Sequence, residues 1–320
     1  MSNVLNLQTN ALQAPELQVT RLEPTIGAEI AGIDLSQPLT SALRDELRAL
    51  LLKHKVLFFR DQDIDTEQQI AFAKQFGELY VHPTTQQNDT SKPQAHLIQA
   101  EDARKLYGPR TSGRWHTDTS WLLQPTLGAV LRAVDLPEVG GDTLWADAGA
   151  VYRDLPEDLR AEIDELYVVH DFKKSLDQVG YDYPILAHPL VRTHPETGED
   201  TLFINFSQNP SVIGWEPERS KALVDRLLKA FSKPEHQVRF KWRKNSIAFW
   251  DNRSTQHYAV NDYYPQRRFM ERVTIRGGPV TGVERADPDS VRKAKYLVPA
   301  DVDRHGGHRP HLEGEQHRGA

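Results

Sequence analysis

The chain has 320 residues, of which 38% are hydrophobic, enough for one large core or two modest ones. Its formal net charge of −6 at pH 7, with basic and acidic residues interspersed, excludes the long basic stripe that a nucleic-acid binder uses. The absence of cysteine excludes disulfides, thiolate metal sites and thiol catalysis.

Residues 1–17 are polar and lack a charged segment followed by an apolar run, so they read as a flexible arm and not as a leader. No window approaches the ~20 apolar residues that span a membrane, and a soluble, cytoplasmic protein is expected. "VTRLEPTIGAEIAGIDL" reads as short strands broken by Gly27 and Gly32. "SALRDELRALLLKHK" sets Leu43, Leu47, Leu50 and Leu51 on one helical face behind Thr40 or Ser41 as N-cap. A buried strand "VLFFR" follows, then a helix from near Asp65 or Thr66 to Gly77.

Residues 84–113 are polar apart from "AHLIQA" and contain Pro93, Gly108, Pro109 and Gly113, which reads as a lid-like insert. "TLGAVLRAV" is a strand, "VGGDT" a tight turn, and Pro156 opens a helix with Leu159, Ile163 and Leu166 on one face. Residues 173–190 read as a second irregular excursion. Strands return at "TLFIN", "VRFKW", "SIAFWDN" and "RFMERVTI", interrupted by the helix "EPERSKALVDRLLKAF" with Pro217 in its first turn. Beyond about residue 280 the pattern dissolves into an extension, 281–320, whose end is expected to be disordered. Strand and helix do not alternate, so the expected fold is mainly β with flanking helices, an antiparallel sandwich in one domain over 18–280.

"RWHTDTSW" places His116 and Asp118 two positions apart, on one face if the segment is extended. Two other His-x-Glu matches, at 194–196 and 311–313, read as a surface turn and a tail. A third ligand is available at His257, just after an apolar strand. Two imidazoles and one carboxylate suit ferrous iron with positions open for an oxidisable co-substrate and O2. The alternative for any one of them is a surface histidine at a strand end. In "RRFMERVTI" a strand would put Arg268, Met270, Arg272 and Thr274 on one face, with Phe269, Val273 and Ile275 on the other. Buried arginines need anions, and no acidic residue shares that face, so ligands are the expected partners; an exposed basic edge is the alternative. The two arginines are about 13 Å apart along an ideal strand, room for two anions. Gly140 and Gly141 permit close backbone approach, and Thr143 offers a hydroxyl to a carboxylate.

These blocks, with "TIGAEIAGIDL", "HKVLFFRDQ", "FGELYVHP", "GGDTLWA", "HPLVRTHPETGEDTLFIN" and "WDNRSTQHYAVNDYYPQRRFMERVTI", resemble the taurine dioxygenase family of Fe(II)/2-oxoglutarate-dependent oxygenases over residues 18–280. That family also includes aryloxyalkanoate dioxygenases and alkylsulfatases. The resemblance implies a double-stranded β-helix, or jelly roll. It implies His116, Asp118 and His257 as iron ligands, and Thr143 with Arg268 at the distal carboxylate of 2-oxoglutarate. It implies His82 and Arg272 at the anionic head of the substrate. Thr85 and Ser112 replace a tyrosine and an asparagine that serve taurine recognition, so an alkanesulfonate or alkyl sulfate ester other than taurine is expected. An aryloxyalkanoate or another carboxylate is the alternative within the class. A zinc hydrolase or small-molecule sensor on a metal jelly roll is the alternative outside it. Retention of Asp118 implies hydroxylation, with succinate and CO2 as co-products. A homo-oligomer acting on a small anionic molecule, without nucleic acid or membrane, completes the expectation.

Overall fold

Runs such as "VLFF" and "IAFWD" are apolar at successive positions, which puts hydrophobic side chains on both faces of a strand. The computed structural model describes residues 16–83, 91–99, 113–282 and 295–297, and in it these runs form the middle of an eight-stranded sheet. Its spatial order is β1 (Gln18–Arg21), β2 (Ala28–Ala31), β3 (Val56–Phe59), β13 (Ile247–Asp251), β6 (Gly128–Asp135), β15 (Phe269–Ile275), β4 (Leu79–Tyr80). β5 (Ala95–Gln99) also pairs with β15. Among the described residues only β2 and β3 run parallel.

A smaller sheet, β12 (Gln237–Phe240), β7 (Thr143–Asp147) and β14 (Thr255–Ala259), faces the large one. Between them lie Val56, Phe58, Leu131, Trp250 and Met270 from the large sheet and Trp145, Val238 and Phe240 from the small one. The neighbours of those residues in the chain turn outward. Leu57, Phe59, Phe249, Val273 and Ile275 form a second core under α1 (Ser41–His54) and α2 (Thr66–Lys74). Each such large side chain contributes roughly 1.5–3 kcal/mol by leaving water. Thr40 caps α1, and Asp65 with Gln68 forms a capping box on α2.

A third core gathers α3 (Ala148–Arg153), α4 (Glu157–Ile163) and α6 (Pro217–Phe231). Residues 173–190, expected to be irregular, hold α5 (Lys173–Asp177) and β9 (Ile185–Pro189), which pairs with β8 (Tyr167–His170). β10 (Val191–Thr193) and β11 (Asp200–Leu202) form a hairpin. The 84–113 stretch supplies β5 to the large sheet, and the stretch after 280 supplies β16 (Lys295–Leu297) to β9. Two facing, mainly antiparallel sheets with helices outside are the expected jelly-roll architecture. Among the described residues no helix is long and apolar enough to cross a membrane.

Candidate active site

His257 lies mid-β14 opposite Trp145 of β7, which points into the inter-sheet core, so the imidazole points inward as well. His116 joins the end of this sheet by one antiparallel bridge. Its N–H donates to His257 O at 3.0 Å, and His257 N–H donates to His116 O at 2.8 Å. The two rings lie 4.0 Å apart between centroids. His116 Nδ1 is engaged with Arg114 O at 2.9 Å, which fixes its proton there and turns Nε2 to the site. His257 Nε2 lies 3.8 Å from Asp118 Oδ1. One ligand atom from each of His116, Asp118 and His257 falls within 4.8 Å of the others, and among the described residues no other such group converges. The 194–196 match is absorbed structurally: His194 pairs with Asp251, and Glu196 with Arg48 and Arg253. The 311–313 match lies outside the described residues.

Asp118 is held by a residue that the spacing of the motifs does not single out. Asn252, just after β13, accepts from Asp118 N through Oδ1 (2.9 Å) and donates through Nδ2 to Asp118 O (2.9 Å). Thr117 Oγ1 donates to the same asparagine, and Asn205 Nδ2 donates to Thr117 O at 2.9 Å. Burial pushes the Asp118 carboxyl upward, but the Arg272 guanidinium beside it outweighs burial and holds Asp118 well below the usual carboxylate range. Burial, then the neighbouring His116, keeps His257 neutral, the form that ligates a metal. Two imidazoles beside an ionised carboxylate are a donor set that fits ferrous iron.

The arginines are inward, as expected, but their partners require a correction. Arg272 Nη1 donates to Asp118 Oδ2 at 2.7 Å, so a protein carboxylate already meets this guanidinium. That carboxylate comes from a distant loop, so counting acidic residues on one strand misses it. Among the described residues Arg272 Nε is buried without a hydrogen-bond partner. Arg268 flanks β15, at a register irregularity between Phe269 and Met270. Its Nε donates to Gly141 O at 2.8 Å and its Nη2 to Thr143 Oγ1 at 3.1 Å. Gly141 has φ +72°, and a Cβ there would come within 2.9 Å of Arg268 Cδ, so glycine is required for this approach. Trp242 Nε1 also donates to Thr143 Oγ1, at 3.0 Å. With both lone pairs engaged, the Thr143 hydroxyl proton is free to donate to a ligand carboxylate.

His82 packs among Tyr80, Trp121, Phe172 and His96, with ring centroids 6.0–6.1 Å away. Burial first, and then the Arg272 charge, lowers it to about 4. Thr85 and Ser112 lie outside the described residues. His96, on β5 beside Arg272, is a further polar side chain at this place that the sequence reading passed over.

The model of the family described as "Taurine catabolism dioxygenase TauD, TfdA family" matches residues 18–274. An alkylsulfatase of Acinetobacter baylyi is 36% identical over 318 residues, covering 92% of this chain and 94% of the relative. An alpha-ketoglutarate-dependent sulfate ester dioxygenase of Pseudomonas putida is 36% identical over 298 residues, with 86% and 94% covered. A crystal structure of a taurine dioxygenase from Burkholderia xenovorans superposes with a TM-score of 0.74 at 36% identity, covering 89% of this chain and 95% of that one. Site and sequence agree: the chain belongs to the TauD, TfdA family and is an oxidoreductase that uses Fe(II), 2-oxoglutarate and O2.

Proposed function

We propose that this chain hydroxylates a small alkanesulfonate or alkyl sulfate ester, with His116, Asp118 and His257 holding the iron. One observation carries the reading. Two separate guanidinium stations are available: Arg272 meets Asp118 of the trio and lies by His82, while Arg268 meets Thr143 on β7, the strand paired with the one that carries His257. One station suits the distal carboxylate of 2-oxoglutarate, the other the anionic head of a substrate. When bound, the iron with O2 and 2-oxoglutarate supplies the oxidant that replaces a substrate C–H by C–OH, giving succinate and CO2.

The remaining steps fall to the chain's own groups. Arg272 and His82 fix the anionic head, which sets the carbon next to it toward the trio. Trp121 and Phe172, stacked at 5.6 Å and each with its ring 6.0 Å from that of His82, give this end of the site an apolar border. A hydroxyl placed on the carbon that bears a sulfate ester oxygen makes an unstable adduct, which collapses to an aldehyde and releases sulfate; next to a sulfonate the same collapse releases sulfite. Thr85 and Ser112 are assigned to the far end of the substrate by resemblance. The acidic composition, without a long basic stripe, argues against a nucleic-acid partner.

The test is succinate release from the ferrous protein with 2-oxoglutarate, O2 and three probes: 1-hexyl sulfate, hexanesulfonate and phenoxyacetate. Turnover with sulfate or sulfite release is expected for a sulfur-containing probe. Turnover with phenoxyacetate alone would move the assignment to carboxylates, and none with any probe would remove it.

A further inference from the structure

The edge of the large sheet brings one more polar side chain to Arg272. β5 pairs antiparallel with β15 in a register that sets His96 opposite Arg272 and Ile98 opposite Met270. Directly opposed residues on antiparallel strands point to one face, with Cβ atoms about 4.5–5.5 Å apart. Met270 belongs to the inter-sheet core and Ile98 packs against that core, so His96, two residues before Ile98, also faces inward. The His82 ring centroid is 6.1 Å from that of His96. Among the described residues His96 Nδ1 is buried without a hydrogen-bond partner, and the same is true of Arg272 Nε. A buried polar atom left unpaired costs about 1–3 kcal/mol. Two such nitrogens on opposed residues of one face point to a shared acceptor.

We propose that His96 is a third donor to the anionic head of the substrate, beside Arg272 and His82, and that it selects a three-oxygen sulfate or sulfonate over a two-oxygen carboxylate. The inference rests on the function proposed above. A sulfate ester presents three terminal oxygens. Arg272 and His82 each meet one, and the third is left for His96. A carboxylate's two oxygens are met by Arg272 and His82, which leaves His96 Nδ1 buried without a partner. Sites built to hydrogen-bond a group discriminate in this way against analogues that lack it. Burial and the nearby Arg272 charge keep His96 neutral, so the ring carries a single proton, which Nδ1 holds when it donates. Were His96 only filler at a sheet edge, leucine would serve equally well.

The test titrates the anaerobic Fe(II)–2-oxoglutarate protein with 1-hexyl sulfate and with hexanoate, read by calorimetry. His96→Leu should raise the Kd for hexyl sulfate about 10-fold or more while the Kd for hexanoate moves less than about threefold. His96→Asn, whose side-chain amide can donate from near the Nδ1 position, should recover most of the loss. The affinity for 2-oxoglutarate should stay constant throughout, which reports that the variants are folded. Should the leucine variant lose 2-oxoglutarate binding, His96→Gln, with its donor displaced from Nδ1, carries the same expectation. Equal losses for both anions, or no loss for hexyl sulfate, overturn the role of His96. Wild-type protein that binds neither anion and releases no succinate with either overturns the functional proposal itself, and His96 falls with it.

Discussion

Arg272 Nη1 sits 2.7 Å from Asp118 Oδ2, which ties the inward face of β15 to the loop that carries the carboxylate of the trio. The pair uses one carboxylate oxygen and leaves Oδ1 on the side of His257. A guanidinium placed this way has two tasks: it orients Asp118, and it presents its remaining donors to a second anion. Arg272→Met should raise the substrate KM on the order of 100-fold, because truncating one partner of a buried charge pair costs roughly 2–5 kcal/mol. The Kd for 2-oxoglutarate should change less than about threefold, since Arg268 and Thr143 are untouched. Steady-state kinetics with a parallel 2-oxoglutarate titration checks both halves. A loss of 2-oxoglutarate binding equal to the loss of substrate binding would merge the two stations into one.

The mirror experiment addresses the other station. Arg268 reaches Gly141 O and Thr143 Oγ1 through two different nitrogens, a geometry that a lysine ammonium cannot copy. Arg268→Lys should weaken 2-oxoglutarate about 10-fold or more, read from the weak visible band of the anaerobic ferrous complex. Trp242→Phe removes one donor to Thr143 and frees a lone pair, so its hydroxyl no longer has to donate outward. A two- to fivefold weaker 2-oxoglutarate complex is expected, in line with about 0.5–1 kcal/mol for one neutral hydrogen bond. An unchanged Kd in Trp242→Phe would separate that indole from the co-substrate.

Asn252 holds the His–x–Asp loop from beneath through contacts to both the N–H and the O of Asp118. Asn252→Leu leaves the Asp118 N–H buried without its acceptor and sets an apolar group against a polar loop. A loss of about 2–4 kcal/mol in urea unfolding is expected, together with at least 10-fold weaker metal binding, because a ligand loosened by its supporting shell binds less well. Metal affinity that survives the substitution intact would show that the backbone alone orients Asp118.

Legibility of the site in the sequence followed the range of each interaction. His116 and Asp118 share a motif and His257 follows an apolar strand, so the trio was readable, and its atoms do converge within 4.8 Å. Thr143 and Arg268 were readable because a glycine turn precedes one and a strand pattern follows the other, and they meet at 3.1 Å. The partner of Arg272 was not readable, because Asp118 lies 154 residues away and no periodicity reports such a pairing. His96 was hidden for the same reason: "AHLIQA" is a short apolar run among polar residues, and only its pairing with β15 makes it a strand with an inward face. In 173–190, Gly180 and Pro184 punctuate the chain so strongly that "ILAHP" looked like loop, although β8 draws it into a sheet.

That sheet holds two buried histidines whose titration makes the fold lose stability as the pH falls. His170 on β8 and His188 on β9 have ring centroids 5.1 Å apart, and the Phe203 ring packs against both. Burial, then the Arg192 charge, takes His188 down to about 3, and burial with the His188 neighbour takes His170 well below its ordinary value. Both are neutral in the folded chain, and unfolding returns both to about 6.5. Below pH 6.5 the unfolded chain therefore takes up protons that the folded chain refuses. Their contribution is complete above pH 6.5 and falls as the pH drops toward about 3. Among the described residues neither nitrogen of the His170 ring has a partner in good hydrogen-bond geometry, with only a weak approach to the Phe203 backbone, and the ring stacks on Phe203, so a phenyl group is close in shape to what the site holds. His170→Phe should leave stability at pH 7 within about 1 kcal/mol of wild type, since it exchanges similar volumes. At pH 4.5 it should be more stable than wild type by a kcal/mol or more, because one proton-accepting group has gone from the unfolded chain. Urea midpoints at the two pH values decide the matter. Curves that stay parallel from pH 7 to 4.5 would place the acid sensitivity elsewhere in the chain.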